Sequence, residues 1–268
     1  MRDFVSWNWS KSGRRMMRAD AIFVSYPKSG RTWVRVFYHA YLSKLAGREF
    51  SWNAAEFPEY PHLFFTHDRW EHRLLPGWWN YIRGKHLVPP QVRREKKIVL
   101  MVRDPRDVVV SLHFHLLKRS HVFKWKPQPM GDMLRDPKFG IAPVIELMNG
   151  WLAEWRGQPN FKLLRYGDCR NSPAREFHGL LEFLGLAPVN DAAFVHALEF
   201  SNFDNMHAME ASGTYKEREL SAGNRADRES FKVRRGKVGG FLDYFSADDL
   251  AYAAQEMKKL DPRFGYAA

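Results

Sequence analysis

Residues 25–33 read Ser-Tyr-Pro-Lys-Ser-Gly-Arg-Thr-Trp, and they follow the apolar run Ala-Ile-Phe-Val at positions 21–24. The apolar run has the composition of a buried strand, and an amphipathic helical pattern follows over 32–46. Between them, Pro27 stops the ladder pairing of the strand. Gly30 lets backbone amides come close to a ligand. The stretch therefore predicts a strand, a tight ligand-binding loop and a helix in succession.

The loop has the features of an anion site. The helix start at Thr32 presents unpaired N–H groups, and Lys28 adds a mobile positive charge. The loop differs from the common nucleoside-triphosphate loop, Gly-x-x-x-x-Gly-Lys-Ser/Thr, because here the lysine precedes the glycine. We therefore expect a phosphate-binding loop of another class.

The alternation of strands and helices continues along the chain. Apolar, β-branched runs and helical periodicities predict strands over 21–26, 63–66, 98–102 and 161–165, and helices over 32–46, 105–119, 141–156, 173–185 and 247–260. Strand–helix units in series indicate an α/β fold with a central parallel sheet and right-handed crossovers.

The remaining segments predict insertions in one domain. Residues 47–96 and 120–140 carry breaking prolines and many aromatic side chains. Residues 204–240 are polar and contain glycine, which predicts a long mobile loop. Because neither repeats nor a low-complexity linker occur, we expect residues 1–268 to form a single domain.

A second informative stretch, residues 102–111, reads Val-Arg-Asp-Pro-Arg-Asp-Val-Val-Val-Ser. It lies at the carboxyl end of a predicted central strand, where open α/β sheets bind ligands. Asp104 is a good helix cap and Pro105 a good first helical residue. Arg103 leaves the strand as it ends, and Ser111 lies about two turns into the helix. Arg103 and Ser111 together predict that a guanidinium group and a hydroxyl bind one phosphate. The alternative is an ordinary capped helix with an arginine on the surface.

These two stretches resemble motifs of the soluble (cytosolic-type) sulfotransferases. The first is similar to the family's 5′-phosphosulfate loop, usually Pro-Lys-Ser-Gly-Thr-Thr-Trp, and the second matches its 3′-phosphate motif, Arg-x-x-x-Asp-x-x-x-Ser. A third stretch, residues 233–241, reads Val-Arg-Arg-Gly-Lys-Val-Gly-Gly-Phe. It resembles the Arg-Lys-Gly-x-x-Gly-Asp-Trp segment that folds over the cofactor, although Gly240 and Phe241 replace the family's Asp and Trp.

The resemblance implies a P-loop-like three-layer α/β/α sandwich and the cofactor 3′-phosphoadenosine 5′-phosphosulfate, with adenosine 3′,5′-bisphosphate as its product and with no metal. It also implies that Tyr166 reaches the adenine, which Phe203 and Trp33 enclose from either side. The cofactor-binding residues that it implies are Lys28, Ser29, Gly30, Arg31, Thr32, Trp33, Arg103, Ser111, Tyr166, Phe203, Arg234, Arg235 and Gly236.

The resemblance further implies a catalytic pair. Sulfuryl transfer needs a base for the acceptor and a cation for the charge that grows on the bridging oxygen. Lys28 is placed for the second task. His67 matches the histidine of a family Lys-Thr-His segment, with Phe65 in place of the lysine, whose charge Arg31 is a candidate to supply. His113 and His115 are alternative bases.

Composition narrows the function further. The net charge of +12 fits either an anionic cofactor pocket or a basic nucleic-acid-binding module, and we favour the pocket. The single cysteine, Cys169, rules out internal disulfides and fits a cytoplasmic location, and no run of ~18 apolar residues predicts a membrane span. The partner is then a small-molecule acceptor, apolar, aromatic or sugar-bearing, with the oligomeric state open. A nucleotide-dependent kinase is the other alternative, and it would require magnesium.

Overall fold

Four parallel strands form the sheet of the computed structural model, which describes residues 11–74, 78, 85–119, 126–215 and 220–266. The strand order is β2-β1-β3-β4. The strands are β1 (Ala21–Ser25), β2 (Leu63–Thr66), β3 (Lys97–Val102) and β4 (Phe161–Arg165). All three pairings are parallel, which confirms the predicted sheet.

Helices alternate with these strands, and the fold class is α/β with helices flanking a central parallel sheet. In chain order they are α1 (Lys11–Arg18), α2 (Arg31–Leu45), α3 (Arg69–Arg73), α4 (Pro90–Glu95), α5 (Pro105–Lys118), α6 (Met130–Arg135), α7 (Ile141–Trp155), α8 (Tyr166–Asn171), α9 (Pro173–Leu184), α10 (Asp191–Phe200), α11 (Phe203–Ser212) and α12 (Ala247–Met257). The predicted helix ends follow local signals: Asp104 caps α5 by accepting from the Arg106 amide, and Gly185 ends α9 in the left-handed conformation.

The chain divides into two compact units, each made of several segments, and the prediction of one domain remains a prediction. The first unit comprises Met1–Arg31, Trp52–Val102 and Leu147–Val189 and contains the whole sheet. Strands β1 and β3 occupy the middle of that sheet, and every residue of β1 is buried. Trp155 at the end of α7 lies 6.3 Å from Phe161 at the start of β4, ring centroid to ring centroid.

The second unit comprises Thr32–Ser51, Arg103–Glu146 and Asn190–Ala268. Aromatic pairs join its helices: Phe37 of α2 meets Phe194 of α10 edge to face, with ring centroids 5.9 Å apart. Phe50 stacks on Phe200 at 4.7 Å. These contacts give the unit an apolar core of its own.

The prediction of a loop over 204–240 was wrong for residues 204–212. Helix α11 covers Phe203–Ser212, because the Asn202 side chain accepts from the Asn205 amide and Gly213 ends the helix with a φ of 66°. Residues 216–219 lie outside the described part. From residue 220 to 240 the chain is irregular apart from short 3₁₀ turns.

Other helices also lie where the sequence predicted none. Helix α6 lies within the insertion predicted as irregular over 120–140, of which 120–125 lie outside the described residues, and α8 and α10 fill segments that carried no prediction. Their periodicity is weak, so tertiary contacts decide their conformation.

Candidate functional site

The carboxyl ends of all four strands lie at one edge of the sheet. In the register, Ser25 pairs with Met101, Val24 with Thr66, and Val102 with Arg165. The strand order changes direction between β1 and β3, so these two strands flank the topological switch point, where open α/β sheets bind ligands. The loop that follows β1 starts at this point.

That loop, residues 26–30, has the backbone of an anion cradle. Lys28 has a φ of 73°, and Gly30 has a φ of 108°. A non-glycine residue in the left-handed region is uncommon and marks a conformation that the surroundings impose. A Cβ atom at Gly30 would lie 2.7 Å from Met101 Cε and 2.8 Å from Tyr166 Cδ2, so both the conformation and the space demand glycine here.

Two serine hydroxyls of the loop region fit an anionic ligand. Ser25 and Ser29 are buried, at 0% and 1% exposure. Within the described residues neither Oγ atom has a hydrogen-bond partner. Buried hydroxyls are normally satisfied, and two such donors beside a glycine cradle suit the oxygens of a phosphate or sulfate group. The loop therefore fits the phosphosulfate end of the implied cofactor.

The other predicted residues of the first stretch lie where the loop becomes a helix. Lys28 is half-buried, and Arg31, Thr32 and Trp33 are half-buried in the first turn of α2. A helix start of this kind carries unpaired amides and a partial positive charge. Tyr166, a predicted residue of the first unit, is buried at the start of α8, with its ring against Gly30.

His67 lies at the same edge of the sheet, directly after β2. Its Nδ1 is 2.7 Å from the carbonyl oxygen of Ser25. Because a carbonyl can only accept, Nδ1 must carry the proton, and Nε2 is then the basic nitrogen of the neutral ring. The ring also packs edge to face on Trp70 at 5.6 Å. The structure thus fixes the tautomer of the neutral ring, with Nε2 as the nitrogen that can accept a proton.

The residue after His67 also interacts with buried groups. Asp68 is 3% exposed, and its carboxylate accepts from the indole Nε1 of Trp151 at 2.7 Å and from the amide of Val88 at 2.6 Å. Burial raises the pKa of Asp68, and the hydrogen bonds from Trp151 and Val88 act in the opposite direction. These hydrogen bonds hold the buried Asp68 side chain in one position within the first unit.

In the second unit, Arg103 and Asp107 tie the C-terminal segment to the start of α5. Arg103 donates to the carbonyl oxygen of Lys237 at 2.9 Å and lies 3.5 Å from the Asp107 carboxylate. Asp107 accepts from the amides of Gly239 at 3.0 Å and Phe241 at 3.1 Å. Burial raises the pKa of Asp107, and Arg103 acts in the opposite direction. The C-terminal segment therefore lies against Arg103 and the first turn of α5.

Arg234 lies on the face of α5 that carries Ser111. Its guanidinium is 4.3 Å from the centre of the Phe114 ring, and Phe114 is one turn after Ser111. Arg234 also donates to the Tyr244 hydroxyl at 2.7 Å and to Glu229 at 2.8 Å. These contacts place Arg234 against the turn of α5 that follows Ser111, and a shared phosphate for the two residues stays a prediction.

The last three predicted residues, Phe203, Gly236 and Arg235, differ in what they contact. Phe203 and Gly236 meet, since a Cβ atom at Gly236 would lie 2.6 Å from Phe203 Cδ2. Arg235 is exposed, and its guanidinium pairs with Glu229 at 3.1 Å and with Asp243 at 3.5 Å. The structure thus joins Phe203 to the C-terminal segment, whereas Arg235 points toward surface carboxylates.

Sequence reasoning missed several residues that shape these sites. Asp107 was visible as the Asp of the Arg-x-x-x-Asp-x-x-x-Ser pattern, although no role was inferred for it. Phe114, Tyr244 and Asp68 carried no signal, because their importance comes from partners that are distant in sequence. The rival bases His113 and His115 lie on α5 in the second unit, and burial lowers the pKa of His113, which disfavours its charged form.

The described residues contain neither a membrane-spanning helix nor a cluster of metal-ligating side chains. No helix in the described ranges has the length and apolarity to cross a bilayer. Nor do three or more His, Cys, Asp or Glu side chains in those ranges form a group that could hold a metal ion. The expectation that no metal takes part remains a prediction.

Comparison with known proteins gives the family. The model of the sulfotransferase domain matches residues 18–260. Cytosolic sulfotransferase 16 of Arabidopsis thaliana is 25% identical over 245 residues, covering 85% of this chain and 72% of the relative. Sulfotransferase 2B1 of Homo sapiens is 27% identical over 260 residues, covering 89% of this chain and 67% of the relative.

Solved structures share the fold. Mouse sulfotransferase SULT7A1 complexed with PAP superimposes with a TM-score of 0.62 at 20% identity, covering 90% of this chain and 84% of that one. A retinol dehydratase in complex with androsterone and PAP gives a TM-score of 0.60 at 20% identity, covering 89% and 79%. The match to the sulfotransferase domain over residues 18–260 sets aside the kinase and nucleic-acid-binding alternatives. Since the family model spans most of its length, this chain belongs to the sulfotransferase family and transfers sulfuryl groups.

Proposed function

We propose that the sulfuryl donor is 3′-phosphoadenosine 5′-phosphosulfate and that the phosphosulfate binds the loop of residues 26–30. The observation that carries this proposal is the pair of buried, unsatisfied hydroxyls of Ser25 and Ser29 beside the cradle at Gly30. Structures of the same fold contain PAP, the product of such a donor. When bound, the donor supplies the sulfuryl group and a phosphate leaving group.

The proposed roles of the first-unit residues follow from their chemistry. The Lys28 ammonium neutralises the charge that grows on the bridging oxygen, a task that strengthens in the transition state. His67 accepts the proton of the acceptor hydroxyl or amine at Nε2, while its Nδ1 stays hydrogen-bonded to the Ser25 carbonyl. The carbonyl bond holds the ring in the protonation state and orientation that this step needs.

The proposed roles in the second unit concern the 3′-phosphate. Arg103, Ser111 and Arg234 supply a fork, a hydroxyl and a second guanidinium to it. Arg103 and Arg234 already make contacts to the C-terminal segment and to α5, and these contacts limit the rotamers that each side chain must give up on binding. We assign Arg235, which is exposed among carboxylates, a weaker electrostatic contribution.

We propose a small, largely apolar acceptor that carries a hydroxyl group. Relatives include a flavonol 3-sulfotransferase of Flaveria bidentis and a 3-alpha-hydroxysteroid sulfotransferase of Cavia porcellus, and a solved neighbour binds retinol. The aromatic residues of the insertions are suited to such a molecule. Because several relatives are named cytosolic enzymes, we also propose a cytosolic location.

Calorimetry with two nucleotides tests the cofactor proposal. Adenosine 3′,5′-bisphosphate should bind at least ~100-fold more tightly than adenosine 5′-monophosphate, because each charge-assisted contact to the extra phosphate contributes about 1.5–3 kcal/mol. Arg103→Met should remove much of this preference and leave the affinity for the monophosphate nearly unchanged. Arg175→Met, at a side chain that is 72% exposed, is the matched control. Equal affinities of the wild-type protein for both nucleotides would contradict the proposal.

A further inference from the structure

We propose that Asp68 is a positioning residue for His67: its buried carboxylate holds a strained turn that keeps the imidazole on the Ser25 carbonyl. This inference rests on the proposed function, in which His67 is the base. Asp68 itself touches neither substrate nor cofactor in the proposal, and it acts only through the backbone that it shares with His67.

The turn that follows β2 has a geometry that favours glycine. The Trp70 amide donates to the His67 carbonyl oxygen at 3.0 Å, which closes a four-residue turn. Asp68, the second residue of this turn, has a φ of 44° and a ψ of −118°. These angles are those of the second position of a type II′ turn, where a side chain is disfavoured and glycine is usual. An aspartate in this conformation is strained.

The carboxylate of Asp68 supplies contacts that hold this conformation. It accepts from Trp151 Nε1 at 2.7 Å and from the Val88 amide at 2.6 Å, and it does not cap the helix that starts at the next residue. The backbone amide of Asp68 donates to Thr66 Oγ1 at 2.9 Å. All of these residues belong to the first unit, so the anchor and the turn are parts of one body.

The strain and the anchor together determine the position of His67. Without the anchor, an L-residue at position 68 gains by rotating to a negative φ, which moves the peptide on either side of it. The imidazole would then leave the Ser25 carbonyl, and Nδ1 and Nε2 would no longer be distinguished by that bond. Glycine at position 68 has no such reason to rotate.

Variants at position 68 should therefore show an unusual order of activity. Asp68→Ala removes the anchor and keeps the strain, whereas Asp68→Gly removes both. Turnover with an alcohol acceptor should fall by about tenfold or more in Asp68→Ala, as the release of such strain implies. Asp68→Gly should retain clearly more activity than Asp68→Ala, although glycine is normally the more destabilising replacement. The affinity for adenosine 3′,5′-bisphosphate should be similar in both variants.

A spectroscopic readout tests positioning independently of catalysis. Nitrogen-15 chemical shifts of the imidazole, assigned with His67→Gln, report which nitrogen is protonated. The wild-type protein and Asp68→Gly should both show the Nδ1-protonated tautomer, and Asp68→Ala should show a mixture. An unchanged tautomer in Asp68→Ala, or an equal loss of it in Asp68→Gly, would overturn the inference.

The two readouts separate the inference from the proposed function. If the tautomer follows the predicted order and His67→Gln keeps full turnover, Asp68 positions His67, but His67 is not the base. If Asp68→Ala fails to fold, Trp151→Phe removes one of the two donors to the carboxylate and keeps an aromatic ring. That variant should shift the tautomer in the same direction by a smaller amount, and an unchanged tautomer there counts against the inference.

Discussion

The loop of residues 26–30 and the C-terminal segment of residues 220–241 are both proposed to bind the cofactor, but different forces hold them. The loop depends on backbone geometry: positive φ angles at Lys28 and Gly30, and close packing of Gly30 against Met101 and Tyr166. The loop is short, and the strand that precedes it is apolar. Its shape is therefore set by steric exclusion, which neither salt nor pH changes.

The C-terminal segment depends on charged groups. Glu210 of α11 is fully buried and accepts from the amides of Lys232 at 2.7 Å and Val233 at 2.9 Å. Arg119, at the end of α5, donates to Glu210 at 3.1 Å and to the Ser230 carbonyl at 2.6 Å. One buried ion pair thus satisfies backbone groups from several parts of an irregular segment.

The difference shows two ways to order a segment without regular secondary structure. A short loop between a strand and a helix inherits its position from both elements, so steric limits suffice. A long segment has more conformational entropy to lose and needs directional bonds to buried groups. We therefore expect the segment to respond to the loss of a buried charge and the loop to respond to the addition of a side-chain atom.

Removing the charge of Glu210 should have the largest effect on stability. Glu210→Gln leaves Arg119 buried without its counter-charge and removes an acceptor for the backbone of the segment, which costs about 3–5 kcal/mol in the free energy of unfolding. Chemical denaturation measures this change. Glu229→Gln is the matched control, because its pairs with Arg234 and Arg235 are partly exposed, and such pairs contribute only about 0–1 kcal/mol. Equal effects of the two substitutions would contradict the central role of the buried pair.

In the loop, Gly30→Ala should act through sterics. The new Cβ atom would overlap Met101 and Tyr166 and would also sit at a φ of 108°. We expect a loss of about 2–4 kcal/mol in the free energy of unfolding, the sum of overpacking and a left-handed alanine. Binding of adenosine 3′,5′-bisphosphate should weaken with it.

Gly157→Ala separates these two causes. Gly157 also has a positive φ, 77°, but a Cβ atom there meets nothing within 4 Å. It should therefore cost only the conformational part, about 1–2 kcal/mol. If Gly30→Ala were no worse than Gly157→Ala, close packing would not be what shapes the loop.

The smallest expected effect concerns Cys169, which lies in α8 three residues after Tyr166. Burial raises the pKa of its thiol to about 12, so very little of the reactive thiolate is present at pH 8. Alkylation by iodoacetamide should be slow in the folded protein, rise with pH up to that pKa, and become fast on denaturation. Rapid alkylation of the native protein at pH 8 would mean that the sheet edge around Tyr166 opens readily.

Much of the fold was predictable because its signals are local. The four strands, the helix caps at Asp104 and Gly185 and the tight loop of residues 26–30 all depend on residues within a few positions of each other. Helix α11 was predicted as loop because its hydrophobic periodicity is weak. Its helical conformation depends on tertiary contacts such as the one between Glu210 and Arg119. The sequence pattern also gave no reason to single out Asp68, whose partners Val88 and Trp151 are far along the chain.

The sequence by itself therefore determined the sheet, the cradle at Gly30 and the family to which the chain belongs, because periodicity, glycine and capping act over short distances. Only the tertiary structure decided which nitrogen of His67 is basic and which carbonyl Arg103 binds. The first depends on Ser25, 42 residues earlier, and the second on Lys237, 134 residues later. Hydrogen bonds of this kind need two groups in one place, and folding alone brings them there.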